Sequence, residues 1–261
     1  MRVEQIMRFI VFAMPLAGLA LLLSAACSEA QERANYCRYG DSSSLLVIDR
    51  TSAYDDNDRR KLIQSAGAVA DSLGVGDRLT VVTIGAHYSD SRTVFDACRP
   101  GCPETRNPFA SCATMIALRD ERQFRARLIH ALRPLTQNTD PQTHSDIAAT
   151  LSQATRNPSD GRVYADVNIF SDMLENSQAL PWTTFRDQSA EASMEVVSRY
   201  GIEPSVRGAR VRIVGFGRLH DAARTPLTPE LDQRIRGFWN GYFRTGGARQ
   251  VSFLPVIAAD S

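Results

Sequence analysis

Two apolar runs in this sequence end in oxygen-bearing side chains. Leu45–Ile48 runs into Asp49, with Thr51 two residues on, and Val163–Phe170 runs into Ser171 and Asp172. Strands buried on both faces read as near-continuous apolar runs, so both are predicted as inner strands that carry their terminal carboxylates to one edge of a sheet. Ser145 and Asp146 precede a helix-like stretch through Ile147, Leu151 and Ala154, which brings a further hydroxyl to an adjoining helix start. Asp49, Thr51, Ser145 and Asp172 then make two carboxylates and two hydroxyls, without sulfur or imidazole. That is a hard oxygen site, suited to Mg2+, or to Ca2+ or Mn2+, with water in the remaining positions. Open α/β sheets bind their ligands at this edge. The same residues also have a purely structural reading, because aspartate caps turns at strand ends and serine or aspartate caps helices. Asp55 and Asp56 divide in the same way between additional ligands and the acids that usually start a helix.

Cysteine is the other reactive residue type, and its meaning depends on compartment. Arg2 and Arg8 flank the start of the chain, and an uncharged apolar run from Phe9 to Leu23 ends in Ser24, Ala25 and Ala26 just before Cys27. A charged start, a short apolar run and a small-residue ending describe an export signal over residues 1–26, and the run is shorter than the roughly 20 apolar residues of a membrane-crossing helix. An uncleaved anchor is the alternative reading. Leu23-Ser24-Ala25-Ala26-Cys27 resembles a bacterial lipobox, with Ser24 where leucine is usual, and the resemblance implies that Cys27 becomes a lipidated N-terminus. Export to the periplasm, free or held at the membrane through Cys27, is therefore expected. Cys37, Cys98, Cys102 and Cys112 remain as an even set, for which two disulfides are expected in an oxidising compartment, with all three pairings open. A zinc site from Cys98, Cys102 and Cys112 is the rival reading, resting on a C-x3-C spacing with no nearby histidine.

Removing residues 1–26 takes two arginines and one glutamate from 30 basic and 29 acidic residues, so the remainder is neutral. It carries no basic field for nucleic acid and no acidic tail. Roughly 235 residues can bury a full core as one domain. Residues 27–43 read as a polar tether, 44–255 as the domain, and 256–261 as a tail, with a Pro- and Gly-rich cysteine insertion at 98–112. Within the domain, strands alternate with helices. Leu62, Ala66, Val69 and Leu73 share a helix face after Asp55, and Leu79–Gly85 and Arg92–Ala97 read as a strand and its hairpin partner. Phe124, Leu128 and Leu132 mark a helix, and another passes through Met194 and Val197. Arg210–Phe216 and Val251–Leu254 read as strands around a last helix through Leu231, Ile235, Phe238 and Tyr242. The helical spacing of Phe238, Trp239, Tyr242 and Phe243 favours core packing over a binding face. Such alternation predicts an α/β, three-layer Rossmann-like sandwich, a mostly parallel central sheet with helices on both faces.

Four segments, in order, resemble the von Willebrand factor A family. Leu46-Val47-Ile48-Asp49-Arg50-Thr51-Ser52-Ala53 is similar to its first strand and D-x-S-x-S metal loop, with Ala53 in place of the second serine. Ser145-Asp146-Ile147-Ala148-Ala149-Thr150-Leu151 resembles its T-x-I-x-x-A-L helix opening, Ile169-Phe170-Ser171-Asp172 its strand ending in S-D, and Val211–Gly217 its later strand with a G-x-G turn. The resemblance implies a protein-binding module whose hydroxyls hold the metal directly, whose aspartates act directly or through water, and whose partner supplies a carboxylate. It also implies a weakened site, since Ala53 lacks a hydroxyl. The expected partner is another envelope or periplasmic protein, with membrane contact only through the N-terminal lipid or signal. A metal-free scaffold of the same fold and a metal-assisted hydrolase built on Asp49 and Asp172 are the competing readings. No G-x-S-x-G, Walker or H-E-x-x-H motif supplies a catalytic group, so no enzyme activity is expected. Of His87, His130, His144 and His220, only His144 adjoins the proposed site.

Overall fold

The computed structural model describes residues 36–52, 54–103, 112–137, 142–158, 161–217 and 225–257. The export signal, Cys27, Ala53 and His220 lie outside the described residues.

Six strands form one sheet: β1 (Ser43–Asp49), β2 (Arg78–Ile84), β3 (Arg92–Cys98), β4 (Asp166–Phe170), β5 (Arg210–Val214) and β6 (Gln250–Leu254). Their spatial order is β3-β2-β1-β4-β5-β6, all parallel except the edge strand β3, which pairs antiparallel with β2. Six helices connect them: α1 (Asp56–Ser72), α2 (Thr114–Leu132), α3 (Ile147–Arg156), α4 (Trp182–Asp187), α5 (Ala190–Tyr200) and α6 (Pro229–Thr245). Side chains alternate across a strand, and β1 shows the result. Leu45 and Val47 pack with Ile147 and Leu151 of α3, Phe185 of α4, Val197 of α5 and the aromatic face of α6. Leu46 and Ile48 pack on the opposite face with Leu62 and Val69 of α1 and Phe124 and Leu128 of α2. The expected α/β sandwich with helices on both faces is thus what the chain forms. Phe238, Trp239, Tyr242 and Phe243 are buried core residues, as their spacing implied. Among the described residues no helix is long and apolar enough to cross a membrane.

Several elements start or end away from their predicted places. The segment read as a polar tether is tied to the domain from Tyr36 onward: Cys37 is bonded to Cys98, and the Arg162 guanidinium holds the carbonyls of Cys37 and Gly40. Strand β4 begins at Asp166 and not at Val163, which is 60% exposed; the chain joins the sheet only where the Ala165 amide meets the Ser43 carbonyl. Helix α4, absent from the sequence reading, is short and buries a single residue, Phe185. Cys102 is bonded to Cys112, so all four described cysteines are spent on disulfides and the zinc reading is overturned. Two disulfides fit an oxidising, extracytoplasmic environment.

Candidate metal centre

From β1 the chain turns one way to β2 and, later, the other way to β4, so the sheet order reverses between β1 and β4. Helices leaving those two strands diverge to opposite faces, which opens a crevice at their C-terminal ends. Asp49 ends β1, Ser171 and Asp172 follow β4, and Ser145 precedes α3 beside them. All four predicted ligands are buried here, with Asp49 and Thr51 fully covered.

Hydrogen bonds join Asp49, Thr51 and Ser145, and a separate pair holds Asp172. The Thr51 hydroxyl lies 2.6 Å from Asp49 Oδ1 and 2.9 Å from Ser145 Oγ, and the Thr51 amide also donates to Asp49 Oδ1 at 2.8 Å. The Ser171 hydroxyl donates to Asp49 Oδ2 at 2.7 Å. On the other side, Ser52 donates to Asp172 Oδ2 at 2.6 Å and the Leu174 amide to Oδ1 at 3.0 Å. Ser52 and the role of Ser171 were not anticipated. The signal was present, since hydroxyls at i+3 from Asp49 and at i−1 from Asp172 flank both carboxylates.

Backbone geometry fixes this arrangement. Met173 has φ of 62°, a left-handed conformation that costs a non-glycine residue about 1–2 kcal/mol. Two bonds hold it there: its amide donates to Ser171 Oγ at 2.9 Å, and Trp239 Nε1 donates to its carbonyl at 2.9 Å. Gly215, at φ of 94°, sits where an added Cβ would stand 3.3 Å from the Ser171 carbonyl oxygen, and the Gly217 amide donates to the Asp172 carbonyl at 3.1 Å. The G-x-G turn therefore braces the Ser171–Asp172 corner. Opposite it, Ser145 and Asn176 exchange both backbone hydrogen bonds. Asp55 and Asp58 form a reciprocal capping box at the start of α1, which settles the first in favour of helix initiation.

Glu175 was missed altogether. It is fully buried, and Oε2 accepts from the Ile147 and Ala148 amides at 3.0 and 2.9 Å, capping α3 from across the crevice. Ser145 instead turns its hydroxyl to Thr51, and Asp146 accepts from the Tyr88 amide at 3.0 Å. Glu175 Oε1 has no hydrogen-bond partner among the described residues. Burial pushes this carboxyl up to about 8, only partly offset by the Ser177 hydroxyl. Burial likewise raises Asp49 to about 6, helped by the charge of Asp172, while the Thr51 and Ser171 hydroxyls pull it back.

The donor set fits a hard cation. Adjacent oxygens of a Mg2+ octahedron with bonds of 2.0–2.1 Å stand about 2.9 Å apart, which is the spacing of the Thr51 and Ser145 hydroxyls. A cation would also offset the mutual repulsion of Asp49 and Asp172. Among the described residues there is no group of three or more histidine, cysteine, aspartate or glutamate side chains that could hold a metal ion. His144 is exposed, its ring 6.2 Å from that of His87.

No protein-family model matches the sequence, and no curated protein matches it. Among solved structures, the chain is similar to a von Willebrand factor type A protein from Catenulispora acidiphila, at 12% identity and a TM-score of 0.44, covering 82% of this chain and 38% of that one. Proximal thread matrix protein 1 from the mussel byssus matches at 12% identity and a TM-score of 0.37, over 83% of this chain and 42% of its own. The PilB minor pilin from Streptococcus sanguinis matches at 13% identity and a TM-score of 0.39, over 82% and 57%. The chain thus spans less than two thirds of the length of each of these proteins.

Proposed function

We propose that this chain is an exported protein-binding module of the von Willebrand factor A type, held at the membrane by lipid on Cys27. In this reading Asp49, Thr51, Ser145 and Asp172 hold a hydrated divalent cation, Mg2+ or else Ca2+ or Mn2+, and a carboxylate of another envelope or periplasmic protein completes its shell. The cation would supply a Lewis-acidic point of attachment, and the module performs no catalytic step. The observation that carries this reading is the Thr51 hydroxyl, buried at the switch point of the sheet and placed between Asp49 and Ser145 at ligand spacing.

A metal-free scaffold is the second reading, and one observation favours it. Both oxygens of Asp49 and both of Asp172 already accept protein hydrogen bonds, so the protein itself satisfies both carboxylates. Calorimetric titration of the full chain with Mg2+, Ca2+ and Mn2+ separates the two. Binding at millimolar concentration or better, abolished by Asp172→Asn, is expected, with a rise in thermal stability that the variant lacks, because a ligand confined to the folded state stabilises it by mass action. No heat with any of the three ions would leave the scaffold reading in its place. Palmitate labelling, with Cys27→Ser as control, tests the lipid.

A further inference from the structure

Every parallel strand starts at one end of the sheet, opposite the end that holds Asp49 and Asp172. Eight large apolar side chains are exposed among the described residues, and six of them lie at that starting end. Tyr39 precedes β1, Val163 precedes β4, Tyr200 ends α5 ahead of β5, and Met115, Ile116 and Leu118 form the first turn of α2. Met115 is 75% exposed. Only Tyr88, just beyond β2, and Ile129, near the end of α2, lie toward the other end.

The chain also enters the domain here. Tyr36 Oη donates to Asp120 Oδ2 at 3.2 Å, which seats the first described residue against the opening turns of α2, and the Cys37–Cys98 bond fixes it at the end of β3. Arg99, directly after β3, pairs with Glu121 at 3.3 Å and confirms that α2 begins at this end. Eight residues lie between Cys27 and Tyr36, a reach of at most about 30 Å, so a membrane that holds Cys27 lies close to this surface. The surroundings suit a lipid boundary: Arg38, Arg119 and Arg122 are exposed beside the apolar turn, and Tyr39 is an amphipathic ring of the kind that sits at headgroup level.

We propose that this end of the domain lies against the lipid surface, with Met115, Ile116 and Leu118 in the headgroup boundary, and that the Asp49–Asp172 edge is thereby held facing away from the membrane. This rests on the export reading given above and not on metal binding. One apolar turn binds a bilayer weakly by itself, and the lipid on Cys27 supplies the second anchor that stable attachment needs.

The test places a tryptophan at each end in turn, as Leu118→Trp and Tyr88→Trp, in the full chain mixed with phosphatidylcholine vesicles holding about a quarter phosphatidylglycerol. Brominated lipid is expected to quench the added fluorescence of the first variant and not of the second, over the constant background of Trp182 and Trp239. Met115→Glu with Ile116→Glu should weaken vesicle affinity about tenfold or more, because two buried apolar side chains are replaced by charge. Both substitutions fall on exposed positions, and retained far-ultraviolet dichroism checks the fold. Quenching at both ends, at neither, or at Tyr88→Trp alone overturns the orientation, as does a dimer in place of vesicle binding. Palmitate incorporation without selective quenching removes the docking face and keeps the anchor; selective quenching without palmitate does the reverse.

Discussion

At the scale of single residues, the crevice concentrates buried carboxyls, and their burial has a measurable consequence. Glu175 is ordinarily ionised above about pH 4.5 in the unfolded chain but holds its proton in the folded one up to about 8. Between those values only the folded state binds the proton, so this contribution to stability is complete at low pH and is lost as pH rises toward 8. Asp49 acts with the same sign in a lower window, between its ordinary value of 3.8 and about 6. The parent chain is therefore expected to lose about 3 kcal/mol from Glu175 between pH 6 and pH 9, and Glu175→Gln should flatten that part of the slope. Urea unfolding at stepped pH measures it; an equal slope in both proteins would show that the carboxyl is ionised in the folded state. Burial and the nearby charge of Asp146 favour the neutral form, against the Ser177 hydroxyl and the two amides on Oε2, which favour the charged one. None of this was legible in the sequence, where Glu175 stands among Leu174 and Asn176 with no pattern to mark it as buried. By contrast Asp49, Thr51, Ser145 and Asp172 could be read because each lies at or just past a strand end or just before a helix, and the structure brings all four to one edge of the sheet.

At the scale of elements, apolar runs and capping residues located most of the framework, and failures came where chemistry and period disagreed. The apolar Val163 drew the predicted start of β4 outward, yet it faces solvent because the sheet has no neighbour for it before Ala165. Helix α4 is too short for a helical period to show, and its place depends on Phe185 reaching the α6 aromatics, 4.9 Å from the Phe238 ring. The pairing of the cysteines was equally closed to sequence reasoning, since all three connectivities were open until β3 was brought beside the entering chain. The two bridges should differ in worth. Cys37–Cys98 spans 61 residues and Cys102–Cys112 spans 10. Loop-closure entropy gives the first about 4 kcal/mol and the second about 3 kcal/mol. Paired serine substitutions, compared by guanidinium unfolding, should therefore leave the Cys102→Ser and Cys112→Ser protein the more stable. The reverse order would mean that the unfolded chain already keeps Tyr36 near β3.

At the scale of the molecule, the sheet separates two ends with different chemistry. One carries the candidate cation set, the other the entering chain and the exposed apolar turn of α2. Between them β1 runs for seven residues, about 20 Å, and Leu45–Ile48 in its middle are completely covered on both faces. Close packing resists deformation, and sites farther apart than about 10 Å with no shared partner usually act additively, to within about 0.5 kcal/mol. Charging the far end with Met115→Glu and Leu118→Glu should therefore leave Mg2+ affinity within about twofold of the parent, although it weakens vesicle affinity. Asp172→Asn should do the opposite, removing the cation and leaving vesicle affinity in place. Four proteins, the parent, each variant and their combination, titrated with Mg2+ and then with vesicles, complete the cycle. A change in Mg2+ affinity of more than about fivefold on charging the α2 turn would show that the two ends communicate through the sheet. Membrane attachment would then regulate partner binding, whereas additive behaviour makes the lipid-facing end a mount that orients the crevice and nothing more.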